Sequence, residues 1–264
     1  MSQPRARRTS ANVKPQGEPR PGAASWLYGR HAVAAALRNP DRDIARLLLT
    51  KNAAARLSED GLRDLTFETV SPAELGALLP NGAVHQGAGL LAPPPPASAL
   101  EDVCAPADAS RPVLVIDQVE DPQNLGALFR VAAAFEVRAV ILQDRRTPPL
   151  AGSLAKAAAG GVDLVPHCRV VNISQAVNAL QELGYHVIGL TGDAEADIAK
   201  PPQPAPLALA LGSESAGLRR LVRERCDTLA RIPISNRMES LNVSNAAAIA
   251  FFALKQPSAS SERN

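Results

Sequence analysis

The sequence has few aromatic residues and no long hydrophobic run. Phenylalanine, tryptophan and tyrosine make up 3% of the 264 residues, which disfavours base stacking as the main source of any nucleic-acid affinity. No apolar run reaches the roughly 18 residues that a membrane-spanning helix needs, and no secretory signal is present. We therefore expect a cytoplasmic protein without a membrane partner.

Cysteine and histidine are also scarce, and they lack the spacing of metal ligands. Cys104, Cys168 and Cys226 are far apart and form no CxxC pair, and the four histidines form no HExxH pattern. We predict reduced, structural thiols and no metal site. A GxGxxG fingerprint is missing too, which disfavours a nicotinamide- or flavin-dependent enzyme.

The positive charge that the sequence does have is concentrated at its start. The formal net charge is only +2, but residues 1–25 contain five basic residues and one acidic residue. This segment is rich in proline and glycine and poor in apolar residues, so we predict a disordered basic arm. A solvated terminus and a loose tether to RNA phosphates both remain open for it.

A proline-rich segment divides the rest of the chain. Four consecutive prolines begin at Pro93, and the residues after them are rich in alanine, serine and proline, a composition typical of a semi-rigid linker. The predicted units are a small α/β domain over 26–92, a linker over 93–110, a large domain over 111–257 and a flexible tail over 258–264.

Apolar segments alternate with helical segments in the large domain. The predicted strands are 112–117, 138–142, 162–165, 186–190, 207–211 and 228–232. The predicted helices are 125–135, 150–159, 173–183 and 218–226. Continuously apolar strands with intervening helices predict a doubly wound parallel sheet. Ligands bind outside the carboxyl ends of such strands, so functional residues are expected in the loops there.

Polar segments follow three of these strands, and each contains residues with a plain structural explanation. Asn124 is placed to cap the helix that follows it. Arg130 lies about 140° around that helix from Leu125, off the apolar face, where an arginine is usually solvated surface. Gly212 lets the backbone approach a ligand closely, but one glycine-rich turn is a weak signal.

The third segment has more polar side chains than helix capping requires. Ser240 and Asn242 are both good caps for the apolar helix that begins near Val243. Glu214, in the second segment, would suit the positive end of a helix. The surplus of polar groups predicts a polar site at the start of the last helix.

In order and spacing, the three segments resemble the motifs of the SpoU/TrmH family of RNA 2′-O-ribose methyltransferases, in the SPOUT superfamily. They read DPxNxGxxxR from Asp121, GSExxGL from Gly212 and SLNVS from Ser240. Ser215 stands where a glycine is common in the family. In the small domain, YGRHAV from Tyr28 and HQG from His85 resemble the ribosomal-protein-like RNA-binding domain of bacterial 23S rRNA guanosine methyltransferases.

The resemblance implies a trefoil-knotted catalytic domain and a homodimer. It also implies an RNA substrate, with 23S rRNA favoured, and S-adenosylmethionine as the methyl donor without a metal. It implies a methyl-transfer site made of Asn124, Arg130, Glu214, Ser240 and Asn242. It implies cofactor-binding loops that contain Thr191, Gly192, Leu211, Gly212, Ile232, Ser240 and Leu241. The alternatives are a tRNA 2′-O-methyltransferase and a non-catalytic RNA-binding or ribosome-assembly protein of the same fold.

Overall fold

The computed structural model describes residues 24–200 and 206–255. The predicted tail, and the predicted basic arm up to residue 23, lie outside the described residues. No helix in the described ranges is long and apolar enough to cross a membrane.

A four-stranded sheet and three helices form the N-terminal unit. Its elements are β1 (Ser25–Tyr28), α1 (Arg30–Arg38), β2 (Arg46–Leu49), α2 (Lys51–Glu59), β3 (Glu68–Thr69), α3 (Pro72–Leu78) and β4 (Ala88–Ala92). The strand order is β1–β4–β2–β3, with β4 antiparallel to both its neighbours and β3 parallel to β2. Helix α3 begins with a capping box, since Ser71 and Glu74 exchange hydrogen bonds between side chain and backbone.

A seven-stranded sheet with helices on both faces forms the larger unit. Its elements are α4 (Leu100–Cys104), β5 (Val113–Ile116), α5 (Pro122–Ala134), β6 (Val140–Gln143), α6 (Gly152–Ala158), α7 (Gly161–Leu164), β7 (His167–Val170), α8 (Ile173–Glu182), β8 (His186–Leu190), β9 (Ala196–Asp197), β10 (Leu207–Leu211), α9 (Arg220–Arg225), β11 (Thr228–Arg231) and α10 (Val243–Lys255). The order is β7–β6–β5–β10–β8–β11–β9, and every pair is parallel.

The central strand β5 is buried on both faces. Leu114 and Ile116 pack with apolar residues of α5, α6, α7 and α10. Val113 and Val115 pack on the other face with α4, α8 and α9. Side chains alternate between the faces of a strand, so a continuous apolar run fills both cores. The predicted parallel sheet is confirmed.

Two segments differ from the sequence prediction. Residues 162–165, predicted as a strand, belong mainly to the short helix α7, because Ala159 and Gly160 adopt left-handed conformations that end α6 and restart the chain as a helix. The edge strand is β7 instead. It contains the polar residues His167 and Arg169, so it lacks the apolar pattern by which a strand is predicted. The middle of the predicted linker contains α4 (Leu100–Cys104), and its buried Cys104 packs in the core of the larger sheet.

A buried ion pair holds the two units together. Arg42, between α1 and β2, contacts Asp163 of α7 at 2.8 Å, and the two side chains are 2% and 1% exposed. Asn39 also donates to the Asp163 carboxylate at 3.1 Å, and Arg42 donates to the carbonyl of Pro93. Because a buried charge is stable only with a partner, these contacts fix the small unit against α7.

Candidate functional site

A cavity of about 450 Å³ opens at the carboxyl ends of β8, β10 and β11. The residues of the predicted cofactor loops all line it: Thr191, Gly192, Leu211, Gly212, Ile232, Ser240 and Leu241. Because parallel strands end at one edge of the sheet, three loops that are far apart in sequence form one wall here.

The loop after β10 is tightly folded, and its glycines explain why. A side chain at Gly212 would overlap the backbone of Gly217. Ser213 and Gly217 form an isolated β-bridge, and Gly217 has a φ of 64°, a conformation that glycine adopts without strain. The loop therefore turns back on itself and presents Glu214 at the rim of the cavity.

One oxygen of Glu214 brings the three motifs together. Its Oε1 accepts hydrogen bonds from Asn124 Nδ2 at 3.1 Å, Asn242 Nδ2 at 2.7 Å and the backbone N–H of Val243 at 3.1 Å. Asn242 Nδ2 also donates to Asn124 Oδ1 at 2.8 Å. We call Asn124, Glu214 and Asn242 the amide–carboxylate cluster. Within the described ranges Glu214 Oε2 has no hydrogen-bond partner, so it is available to a ligand.

The prediction that Asn124 caps α5 is wrong. The cap is Asp121, whose carboxylate accepts from the backbone N–H of Gln123 at 3.3 Å and of Asn124 at 3.1 Å, and Pro122 occupies the first turn. The Asn124 side chain is thereby free to reach Glu214. At α10 the cap is Asn242, whose Oδ1 accepts from the N–H of Ser244 at 3.0 Å.

The other two predicted methyl-transfer residues do not join the cluster. Ser240 is exposed and lines the cavity beside it. Arg130 is exposed on α5, and its side chain makes no hydrogen bond or ion pair with any described residue. The side chain of Arg130 is therefore available to a substrate or to a second protein chain.

An ion pair beside the site, with a buried carboxylate, was not predicted from the sequence. Asp117, at the end of β5, is fully buried. Its carboxylate accepts from the backbone N–H of Arg219 at 2.9 Å and from Arg219 Nε at 2.8 Å. This pair ties the end of β5 to the residues that follow the Glu214 loop. An acidic residue directly after four apolar strand residues was the available signal.

The cysteines offer no nucleophile to this site. Burial raises the pKa of Cys104 to about 11 and the pKa values of Cys168 and Cys226 to about 12. Thiolate is the reactive form, so these thiols are unreactive near neutral pH. In the part of the chain that the structure describes, no group of three or more acidic, histidine or cysteine residues is placed to hold a metal ion.

Comparison with known proteins gives the family. The model of the SpoU rRNA methylase family matches residues 111–252, which is more than half of the chain. The chain belongs to this family. A second model, described as RNA 2′-O ribose methyltransferase substrate binding, matches residues 26–97. The resemblance drawn from the three SpoU motifs is thus confirmed.

Two similar relatives that align over most of their length carry the same name. The 23S rRNA (guanosine-2′-O-)-methyltransferase of Ralstonia nicotianae is 36% identical over 231 residues, covering 86% of this chain and 93% of that protein. The protein of the same name from Vibrio cholerae is 38% identical over 236 residues, covering 86% and 94%. Among solved structures, the SpoU methyltransferase AviRb from Streptomyces viridochromogenes, in complex with AdoMet, aligns with a TM-score of 0.72 at 20% identity and covers 88% and 90% of the two chains. That likeness shows the SpoU fold.

Proposed function

We propose that this protein is an S-adenosylmethionine-dependent RNA 2′-O-ribose methyltransferase that methylates a guanosine of 23S rRNA. The amide–carboxylate cluster carries the proposal, because it places a free carboxylate oxygen at the rim of a cavity of cofactor size. The relatives named 23S rRNA (guanosine-2′-O-)-methyltransferases, which align over most of the chain, support the reaction and the substrate.

The cavity suits S-adenosylmethionine in size and chemistry. Its volume of about 450 Å³ lies in the range of small-molecule sites. The wall combines apolar side chains, such as Leu211 and Ile232, with backbone exposed at Gly192 and Gly212. The backbone donors and acceptors would hold the polar ends of the cofactor, and Ser240 would contact it from the third loop. When bound, the cofactor supplies a methyl group on a sulfonium that is already a good leaving group.

The protein must then orient a ribose 2′-hydroxyl and manage its proton. In our proposal Glu214 Oε2 orients the ribose, while the two asparagines hold Oε1 in place. Arginine stays protonated in proteins, so Arg130 acts as a cation rather than as a base. It stabilises the developing alkoxide or engages the neighbouring phosphate, which takes the proton.

The proposal includes the organisation of the chain. Residues 26–92 form the RNA-binding domain, 93–110 the connection and 111–257 the catalytic domain of a cytoplasmic homodimer. Exposed apolar side chains of Ile249 and Phe252 on α10 support a dimer, since exposed apolar surface favours association. The position of β11 between β8 and β9, two strands consecutive in sequence, supports a knotted C-terminal segment.

Methyl transfer from labelled S-adenosylmethionine tests the function. The substrates are separated 23S, 16S and transfer RNA from a strain that lacks this gene. We expect label in 23S rRNA alone, at a linkage that resists alkali, with loss of the signal in Arg130→Ala. Arg111→Ala, an exposed arginine at the opposite edge of the sheet, serves as the matched control.

Each other outcome points to a defined alternative. Label in transfer RNA alone would replace the substrate with tRNA. A protein that binds RNA but neither transfers methyl groups nor binds S-adenosylmethionine in calorimetry would be a non-catalytic member of the family.

A further inference from the structure

The loop between β6 and α6 (residues 144–151) presents two adjacent arginines to solvent. Arg145 and Arg146 are both exposed. Within the described ranges the one ion pair that either of them makes is between Arg146 and Glu120, at 3.9 Å, and the exposed Asp144 precedes them in the chain. Two other exposed arginines are paired more closely: Arg46 lies 2.8 Å from Glu68, and Arg220 lies 2.7 Å from Glu224. Within the described ranges Arg145 therefore makes no ion pair and Arg146 makes only a long one, so both guanidinium groups are available to a ligand.

The position of this loop relates it to the amide–carboxylate cluster. Strand β6 pairs with β5, whose following loop leads to Asn124. Arg145 and Arg146 border the same small surface pocket as Gln118 and Glu120 of that loop. The cofactor cavity lies on the other side of β5, at β10, β8 and β11. If an RNA strand places a ribose on the amide–carboxylate cluster, the cofactor cavity lies on one side of that ribose. The β6–α6 loop then lies on the other side, next to the flanking RNA.

The backbone beneath the two arginines is held in place. Arg169 of β7 donates to the carbonyls of Asp144 and Pro148 at 3.5 Å and 3.4 Å. The hydroxyl of Thr147 donates to the carbonyl of Gln143 at 2.5 Å. A loop fixed from below loses little conformational freedom when its outer side chains bind a partner.

Both facing loops also contain strained residues. Arg146 has a φ of 73° and Gln118 a φ of 61°, the left-handed region that residues other than glycine rarely adopt. Such conformations persist where the surrounding contacts impose them, and they are concentrated at binding sites and active sites.

We propose that Arg145 and Arg146 bind phosphates of the RNA strand that flanks the target nucleotide. This inference rests on the proposed function and extends its substrate site by one loop. Guanidinium groups bind phosphate oxygens in bidentate fashion. Contacts of this kind fix the position of a strand without reading its sequence, so the pair sets the register of the target ribose on Glu214.

The test compares two double variants of the full-length protein. Arg145→Ala/Arg146→Ala removes the proposed site. Arg111→Ala/Arg225→Ala removes the same amount of positive charge at the opposite edge of the sheet, where Arg111 precedes β5 and Arg225 precedes β11. The probe is 23S rRNA from a strain that lacks this gene, and affinity is measured from 50 to about 300 mM salt, with methyl transfer measured alongside.

For the first variant we expect the KM for RNA to rise about tenfold or more, and the slope of log affinity against log salt to fall by about 1 to 2. The affinity for S-adenosylmethionine and the kcat at saturating RNA should stay within about twofold of wild type, since phosphate contacts far from the reacting atoms add uniform binding. Arg145→Lys/Arg146→Lys should keep the salt slope and recover part of the affinity.

An unchanged salt slope, or an equal loss in both double variants, would overturn the proposal. A thermal unfolding midpoint matching wild type excludes misfolding as the cause of a loss. If wild type methylates 23S rRNA and the Arg145→Ala/Arg146→Ala variant matches it, this site is refuted and the proposed function stands. If wild type methylates no RNA, the proposed function fails, and the salt slopes still decide whether these arginines contact RNA.

Discussion

Asn242 performs two tasks with one amide group. Its Oδ1 caps α10, accepting from the N–H of Ser244 at 3.0 Å, and its Nδ2 donates to Glu214 Oε1 at 2.7 Å. The N–H groups at the start of α10 need an acceptor, and the Glu214 carboxylate needs a donor. These two requirements fix the orientation of the Asn242 amide. At the scale of single residues, a structural role and a functional role are therefore inseparable at this position.

Asn242→Asp should separate them. Aspartate retains the cap but places a carboxylate where Glu214 needs a donor, and we expect kcat to fall by at least 100-fold. Asn172 is a matched control, because it caps α8 with the same Asn-x-Ser arrangement, accepting from the N–H of Ser174 at 3.0 Å. Asn172→Asp should leave activity unchanged. Methyl-transfer kinetics on both variants decide, and equal activities would show that the amide is only a cap.

Asp117→Asn tests the ion pair beside the site. Breaking a buried ion pair typically costs about 3–5 kcal/mol. The Asp117–Arg219 pair should cost less, because the Arg219 side chain is 37% exposed, whereas the control Asp163→Asn breaks a fully buried pair at the contact between the two units. We expect both to lower the free energy of unfolding, but only Asp117→Asn to weaken S-adenosylmethionine binding, because Asp117 holds the residues after the Glu214 loop. Calorimetric titration of the cofactor distinguishes them. Equal cofactor affinities would reduce Asp117 to a stabilising residue.

Arg130→Lys addresses the planar geometry of the guanidinium. Lysine retains the charge but lacks the flat, bidentate donor arrangement. If Arg130 engages an alkoxide or phosphate as proposed, kcat should fall at least tenfold while cofactor affinity is unchanged. Near-full activity of the lysine variant would show that charge alone suffices.

At the scale of elements, the contact between α5 and α6 depends on a glycine of the first motif. A side chain at Gly126 would overlap the carbonyl of Leu154 and lie 2.6 Å from the Cβ of Ala157. The glycine of the DPxNxG motif therefore lets two helices approach closely, and it supports the position of Asn124 without contacting a ligand.

Gly126→Ala should therefore destabilise the fold by about 1–3 kcal/mol, the usual effect of overpacking. Gly76→Ala in α3 is the control, because its new Cβ would meet only His85 Nε2, at 3.8 Å. Alanine favours helices by up to about 1 kcal/mol over glycine, so the control should be neutral or stabilising. Urea unfolding of both variants measures this, and similar stabilities would contradict the close-approach explanation.

Much of this element pattern could be predicted from the sequence, and the exceptions have physical reasons. Five of the six predicted strands of the larger unit coincide with observed strands, because apolar runs buried on both faces leave a clear signal. The segment 162–165 is also apolar, but its helical form depends on the left-handed pair at Ala159 and Gly160. Edge strands such as β7 and β9 carry polar residues and give no such signal.

The candidate site was less predictable than the fold. The three motifs indicate which loops meet, because parallel strands end at one edge. They do not indicate that Asp121 takes over the capping of α5, or that one oxygen of Glu214 accepts three hydrogen bonds. The capping by Asp121 is local, over two to three positions, and the motif offers both Asp121 and Asn124 as caps. The hydrogen bonds of Glu214 join residues about 30 to 90 positions apart, and spacing along the chain does not encode those distances.

At the scale of the whole molecule, one buried histidine links stability to pH. Burial lowers the pKa of His167 to about 4, and the positive charges of Arg169 and Arg42 add to the effect. In the unfolded chain the pKa of His167 is the ordinary value of about 6.5. Between pH 4 and pH 6.5 the unfolded chain therefore binds more protons than the folded protein. Stability contributed by the neutral histidine is thus present above pH 6.5 and is lost as the pH falls toward 4.

Wild-type protein should lose about 2 kcal/mol of unfolding free energy between pH 6.5 and 5 through this residue, at 1.36 kcal/mol per pH unit. His167→Leu, whatever its absolute stability, should show a flatter dependence over that window. Denaturant unfolding at several pH values gives both slopes. Parallel curves for the two proteins would mean that His167 is not the titrating group.

The contact between Arg42 and Asp163 has a consequence for any attempt to separate the two units. If the N-terminal unit were deleted, Asp163 would keep its place on α7 but lose its cation, together with the amide of Asn39. The acid would then be a buried charge without a partner, which is strongly destabilising. A catalytic fragment made by cutting at the proline run should therefore be produced as Asp163→Asn or Asp163→Ala.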